Sequence, residues 1–264
     1  MRTLHALAAA ALFAAAAPHA AAAQAESIDV AAVGAWSYTG PTGPAFWGLP
    51  RFSYPECRGG AGSRQSPVNL VATSHAPPLP VTLNYPAGNP ARLENTGHSV
   101  YLFLTNLASL QVADTTFDFR DIHFHVPAEH LVNGTRYAAE IHSVHQQGNG
   151  NRAVLTTFVT EGPPNAAWNA LIAALPGNKG DTISIGPTNL TTLLSLGGLA
   201  REQMYSYAGS LTTPACTRNV RFLVRQRPIN LSRQQIEALA AAFARNVRPV
   251  FPVTTPVILH RGVR

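Results

Sequence analysis

The 25 residues from Asp121 to His145, DIHFHVPAEHLVNGTRYAAEIHSVH, constrain the fold more than any other part of the chain. Asn133-Gly134 tolerates the positive φ that a type I′ turn demands, so the flanking residues read as two antiparallel strands of one hairpin. Strand side chains alternate, which puts His123 and His125 on one face and Phe124 on the other. With Asn133 and Gly134 as the turn, Val132 faces Thr135, His125 faces His142 and His123 faces Val144. Pro127 cannot donate to a ladder and is the place where this pairing could slip. Three imidazoles, from His123, His125 and His142, thus converge on one face.

Three neutral imidazoles suit a zinc ion with one position left open, because structural zinc sites close with four protein ligands and catalytic ones keep a place for water. His123, His125 and Glu129 also spell the H-x-H-x-x-x-E of the first cupin motif. That motif expects a glycine about where Phe117 stands, and its second half is missing. H-E-x-x-H and C-x-x-C do not occur, which argues against a zinc peptidase and against a redox or zinc-thiolate site.

The rest of the chain reads as a mainly β (α+β) fold: a large, mostly antiparallel central sheet with a few short peripheral helices. Residues 26–70 look irregular. Val100–Leu104 and Ala153–Val159 are strand-like. Ser232 with Gln235 forms a capping box ahead of Ile236, Leu239, Ala240 and Phe243 at helical spacing. A second helix is expected over Ala166–Leu175 and an extended segment over Pro249–Leu259. No internal repeat or linker divides the chain, so residues 26–264 are expected to form a single domain.

Residues 1–25 read as a signal peptide. Arg2 gives the positive start, Ala6 to Ala17 the apolar stretch, and Ala21 to Ala25 small-residue cleavage sites. Pro18 and His19 interrupt the stretch before it could span a bilayer, and no other segment is long and apolar enough. The protein is therefore expected in the periplasm or outside the cell. Two cysteines in an exported chain, Cys57 and Cys216, most simply form one disulfide; two free buried thiols are the alternative. The net charge of +6 comes from arginines scattered along the chain and Lys179. Nothing gathers them on one face, which argues against a nucleic-acid partner.

Further segments carry a family resemblance: Trp36-Ser-Tyr-Thr-Gly with Gly43-Pro and Trp47, Gln65-Ser-Pro-Val-Asn69, Asn95-Thr-Gly-His98, the histidine hairpin, and Gly209-Ser-Leu-Thr-Thr-Pro214. In this order, from about Trp36 to Pro252, they resemble an exported bacterial α-class carbonic anhydrase. The resemblance implies zinc held by His123, His125 and His142, with Glu140 orienting the third ligand. It implies that Thr212 hydrogen-bonds the zinc-bound hydroxide and that Glu129 holds Thr212. Thr213 matches a bicarbonate contact, and Val144, Val154, Leu211 and Phe222 match the apolar wall where carbon dioxide rests. Tyr38 and Tyr207 match tyrosines of the hydrogen-bond network. His98 matches the proton shuttle, a role that an imidazole pKa near 6.5 suits. Cys57 and Cys216 match the disulfide of the secreted members.

The implied reaction is reversible hydration of carbon dioxide to bicarbonate and a proton, with ester hydrolysis as a side activity; a homodimer is compatible with it. The rival is a silent carbonic-anhydrase-like binding or adhesion module, although such relatives lose zinc histidines and this chain keeps all three. Departures are informative too. Asp121 stands where the family usually has glutamine and adds negative charge beside the metal. Phe222 replaces a tryptophan and Phe46 a histidine, and Phe251 and Pro256 break the usual C-terminal pattern.

Overall fold

A computed structural model describes residues 36–60 and 62–262. The signal peptide read over residues 1–25 lies outside them, as do the ends of the expected 26–264 domain. Among the described residues the main sheet has thirteen strands. Its central path runs through ten: β1 (Ser74–Ala76), β2 (Asn89–Asn95), β3 (Val100–Leu104), β4 (Thr115–His125), β5 (Ala139–Gln146), β6 (Arg152–Glu161), β7 (Thr182–Thr188), β8 (Met204–Ser210), β9 (Arg218–Arg225) and β10 (Ile258–His260). Their order in space is β7-β2-β3-β4-β5-β6-β9-β8-β10-β1. Most pairings are antiparallel, as expected; β6 with β9, and β10 with β1, are parallel.

The central strands are buried on both faces, which is why their sequences lack a clean polar alternation. On β5 and β6, Ala139, Ile141, Ala153, Leu155 and Val159 join one core cluster. Val144, Val154 and Phe158 point the other way and join a second with Tyr205, Tyr207 and Phe222. The histidines occupy the second face. A bulge between Val144 and His145 resets the phase, so that Phe117 and Phe124 of β4 share the first face despite their odd spacing.

The hairpin turn forms where the sequence places it. Asn133 and Gly134 have φ of 48° and 80°, and Val132 pairs with Thr135. The long-range register differs by two residues from the expected one: His125 pairs with Glu140, and His142 with His123. The cause is unequal chain length between the two ladders. Five residues, 126–130, separate β4 from the short strand Leu131–Val132, but only two, 137 and 138, separate Thr135–Arg136 from β5. A slip of two preserves the face, because the side-chain period is two. The three histidines therefore still converge.

Among the described residues three short α-helices flank the sheet: α1 (Asn169–Ala173), α2 (Leu190–Leu193) and α3 (Arg233–Ala242). The expected capping box is present on α3: Ser232 Oγ accepts from the Gln235 N–H at 3.2 Å, and Gln235 Oε1 accepts from the Ser232 N–H at 3.1 Å. The helix expected over Ala166–Leu175 is shorter, a 3-10 turn at Ala166–Trp168 running into α1. Trp168, whose indole donates to the Leu193 carbonyl at 2.8 Å, and Leu239 seat these helices on the first core face.

His145 sits in this core, wholly buried, with its Nε2 2.6 Å from the Tyr85 hydroxyl. Burial pushes its pKa down to about 3. Below the ordinary value of about 6.5 the unfolded chain takes up a proton that the folded chain refuses, so stability falls as pH drops from 6.5 towards 3. In urea titrations of the metal-free protein, His145→Gln is expected to flatten that fall by about 1.4 kcal/mol per pH unit. Parallel slopes for the two proteins would contradict it.

Candidate metal centre

β4 and β5 lie side by side and present His123, His125 and His142 as one buried group, with one ring nitrogen from each within 4.8 Å of the others. Ring centroids are 4.7 to 5.2 Å apart. Each ring is turned by a partner behind it. His123 Nδ1 meets Asp121 Oδ1 at 2.7 Å, and His125 Nδ1 donates to the Asn246 carbonyl at 2.8 Å. His142 is reversed: its Nε2 donates to Glu140 Oε1 at 2.6 Å. The nitrogens left to face one another are therefore Nε2, Nε2 and Nδ1. Fixing one ring nitrogen in this way sets the tautomer and leaves the other as a lone-pair donor.

Electrostatics keep this set ready for a cation. Burial, and then the neighbouring His142 and His123, hold His125 well below the usual imidazole range. Burial brings His142 down to about 4 despite Glu140. Buried His125 Nε2 has no hydrogen-bond partner among the described residues. A buried, uncharged nitrogen aimed at two others and making no hydrogen bond is costly unless a cation takes all three. The donor set fits zinc.

Glu140 anchors the second layer. Its Oε1 accepts from His142 and from His130 Nδ1 at 2.6 Å each, and its Oε2 accepts from the backbone N–H groups of Glu129 and His130 at 2.8 Å each. Burial alone would push its carboxyl up, but His130 and His142 hold it well below the usual range. Beyond His130, the Tyr207 hydroxyl lies 2.5 Å from His130 Nε2 and 2.8 Å from Ser66 Oγ. His130, Glu140 and His142 also lie close enough to hold an ion, but their facing atoms are consumed by these mutual hydrogen bonds.

Glu129 is fully buried beside this layer, with Oε2 3.4 Å from His125 Nε2. Burial and the nearby Glu140 push its pKa up to about 8, against the pull of the Thr212 hydroxyl and Arg248. Arg248, also fully buried, gives its backbone N–H to Glu129 Oε1 at 2.9 Å. Its guanidinium donates to the carbonyls of Ser66 and Cys57 at 2.7 and 2.9 Å and to Gln65 Oε1 at 2.8 Å. Thr212 and Thr213 sit in the loop after β8, where the Thr213 carbonyl accepts from the Cys216 N–H at 2.7 Å. The disulfide Cys57–Cys216 is formed and fastens this loop to the N-terminal segment.

Val144, Val154 and Phe222 pack together with Leu211 at their margin. The Phe222 ring is 5.9 Å from that of His142 and stacks on Tyr207 at 4.9 Å. An apolar wall thus adjoins the histidines. His98 stacks on Trp36 at 3.7 Å with Nε2 2.9 Å from the Trp36 carbonyl, and burial draws its pKa down. Tyr38 stands edge-on to His98 at 6.4 Å, and burial with Glu129 nearby raises its phenol well above the usual range.

Four participants escaped sequence reasoning. His130 belongs to the same histidine-rich stretch but follows the break at Pro127, so alternation cannot place it. Asn246 contributes a backbone carbonyl, which leaves no residue signature. Tyr101 packs its ring 4.9 Å from that of His123 because β3 pairs it there. Arg248 lies far away in sequence and had no local signal.

Comparison with known proteins finds relatives over most of this chain. The family model described as eukaryotic-type carbonic anhydrase matches residues 42–254. A carbonic anhydrase of Klebsiella pneumoniae is 33% identical over 229 residues, covering 85% of this chain and 90% of its own length. The α-carbonic anhydrase structure of Photobacterium profundum aligns with a TM-score of 0.77 and 34% identity, covering 85% of this chain and all (100%) of that one. Dioscorin, solved in complex with ascorbate, aligns with a TM-score of 0.78 at 28% identity, covering 87% of this chain and 99% of its own.

Proposed function

The chain belongs to the eukaryotic-type, or α, carbonic anhydrase family, and on that premise we propose that it hydrates carbon dioxide reversibly at a zinc ion held by His123, His125 and His142. Family and fold support carbon dioxide hydration. The observation that carries the zinc reading is the unpartnered, buried Nε2 of His125 facing two further free imidazole nitrogens. Bound there, zinc would supply the charge that brings ionisation of a water molecule near neutral pH, an effect for which carbonic anhydrase is the reference case at about 7.

The chain's own residues do the rest. Glu129 accepts the Thr212 proton, so that Thr212 Oγ1 can only accept from the attacking oxygen and aims its lone pair at carbon. Arg248 and the Thr212 hydroxyl pull Glu129 towards the ionised carboxylate that this needs, against burial and Glu140, and a cation held beside His125 would pull the same way. Carbon dioxide, which has no net dipole, rests on Val144, Val154, Leu211 and Phe222, and Thr213 contacts bicarbonate. Glu140 and Asp121 hold His142 and His123 in orientation, and Tyr38 and Tyr207 complete the hydrogen-bond network. His98 takes the surplus proton and turns it out to solvent. The same nucleophile gives ester hydrolysis as a side activity. Export belongs to the proposal, supported by the disulfide, which persists in oxidising compartments.

Metal analysis followed by a carbon dioxide hydration assay, with and without an aromatic sulfonamide, tests this. One zinc per chain and sulfonamide-sensitive turnover are expected. Zinc without turnover would favour the silent binding module, a use of this fold to which the ascorbate complex of dioscorin lends interest. His98→Ala is expected to slow turnover mainly in weak buffer and to be rescued by imidazole. An equal loss at every buffer strength would remove His98 from proton transfer.

A further inference from the structure

The opposite face of the sheet carries a second grouping with its own chemistry. Met204 pairs with His260 and Ser206 with Ile258, so Ser206 and His260 lie diagonally on one face of β8 and β10. Tyr205 and Tyr207 point to the metal side, which places Ser206 on the far side of the sheet. Ser206 Oγ is 2.8 Å from His260 Nε2, and His260 Nδ1 is 3.1 Å from the Pro77 carbonyl oxygen. A carbonyl can only accept, so Nδ1 carries the proton and Nε2 turns its lone pair to the Ser206 hydroxyl. A hydroxyl, a basic imidazole and a third group that fixes the tautomer form the arrangement of an activated nucleophile.

Both side chains are largely buried, but Ser206 also borders open space, with His260 behind it. Ser206 is one wall of an open groove of about 650 Å³, within the range of small-molecule sites. Arg64, Arg152 and Arg221 line that groove and no carboxylate does. Arg221 pairs with Ala208, two residues on from Ser206 and on the same face. Such diagonal neighbours lie roughly 7–8 Å apart, within reach of an arginine side chain. The Arg221 side chain has no hydrogen bond or ion pair among the described residues, and its strand partner Ala208 carries only a methyl group.

We propose that Ser206 and His260 are the nucleophile and base of a second, metal-independent hydrolytic site, taking small esters whose acyl part carries a negative charge. Ser206 Oγ attacks the ester carbonyl carbon while its proton passes to His260 Nε2. The carbonyl electron pair moves to oxygen, while Arg221 holds the negative charge of the acyl chain. The adduct collapses, the bond to the leaving alcohol breaks, and the alcohol takes the proton from Nε2. Water then attacks the acyl-serine, gives its proton to Nε2, and the acid departs as Ser206 recovers a proton. One ester and one water become one acid and one alcohol.

The test uses the zinc-loaded full chain saturated with an aromatic sulfonamide, with mono-4-nitrophenyl succinate as substrate and 4-nitrophenyl acetate for comparison. The expected result is sulfonamide-resistant release of nitrophenol, faster for the succinate, with a succinyl adduct on Ser206 by mass spectrometry. Ser206→Ala and His260→Asn should each lower that resistant rate at least tenfold while carbon dioxide hydration persists in the same preparations, which shows that they fold. Arg221→Gln should erase the preference for the charged ester. Hydrolysis wholly abolished by sulfonamide, or a resistant rate unchanged in Ser206→Ala, would overturn the proposal. The adduct is also read on chelator-stripped protein, so failure of the zinc reading leaves this result separately visible.

Discussion

His142→Ala is expected to lose zinc and carbon dioxide hydration together. Of the three imidazoles, His142 alone faces the others through Nδ1, because its Nε2 is held by Glu140. Its removal also strips Glu140 of one of four hydrogen bonds and leaves a buried carboxylate underpaired. A metal's contribution to charge stabilisation is worth several kcal/mol, and about 1.4 kcal/mol is tenfold in rate, so turnover should fall about a thousandfold or more. Metal content after dialysis and hydration rate are the two readings. A variant that keeps zinc and stays active would remove His142 from the ligand set.

Arg248→Met comes second in expected effect and acts through stability and site geometry at once. The guanidinium is wholly buried and satisfies three oxygens, from Ser66, Cys57 and Gln65. Methionine fills much of the volume but leaves those acceptors unpaired, and it removes the charge that faces Glu129. Breaking such a buried charged network costs about 3–5 kcal/mol, which for a chain of this size corresponds to about 10 °C in Tm. Calorimetry measures that loss. Hydration by the surviving folded protein should drop too, because Glu129 then loses the cation that favours its ionised form. A Tm within about 2 °C of the parent, on the same scale, would mean that the three oxygens find other partners.

Much of this site was legible in the strand around His123 because the relevant physics is local. Alternation assigns His123 and His125 to one face whatever the rest of the chain does, and Asn133-Gly134 makes its turn from two residues. The register two steps further on was not legible, since it depends on how many residues the chain spends between two ladders. The face survived that error only because the slip was even. Helix α3 was readable from Ser232 and Gln235, whose side chains cap locally. The segment after Asn165 was overestimated: its apolar spacing is real, but Trp168 buries against Leu193 and the helical run ends early. Contributions from distant chain segments, such as the Asn246 carbonyl and the Arg248 guanidinium, have no local pattern from which they could be read.

The bond between Cys57 and Cys216 joins the irregular N-terminal region to the stretch that carries Thr212 and Thr213, across 159 positions. Such a closure withdraws on the order of 5 kcal/mol of freedom from the unfolded ensemble in the loop-entropy account. Reduction of that bond would therefore act unevenly on the site: the histidines would stay on their strands, while the loop of Thr212 and Thr213 would lose its covalent tie to the N-terminal segment.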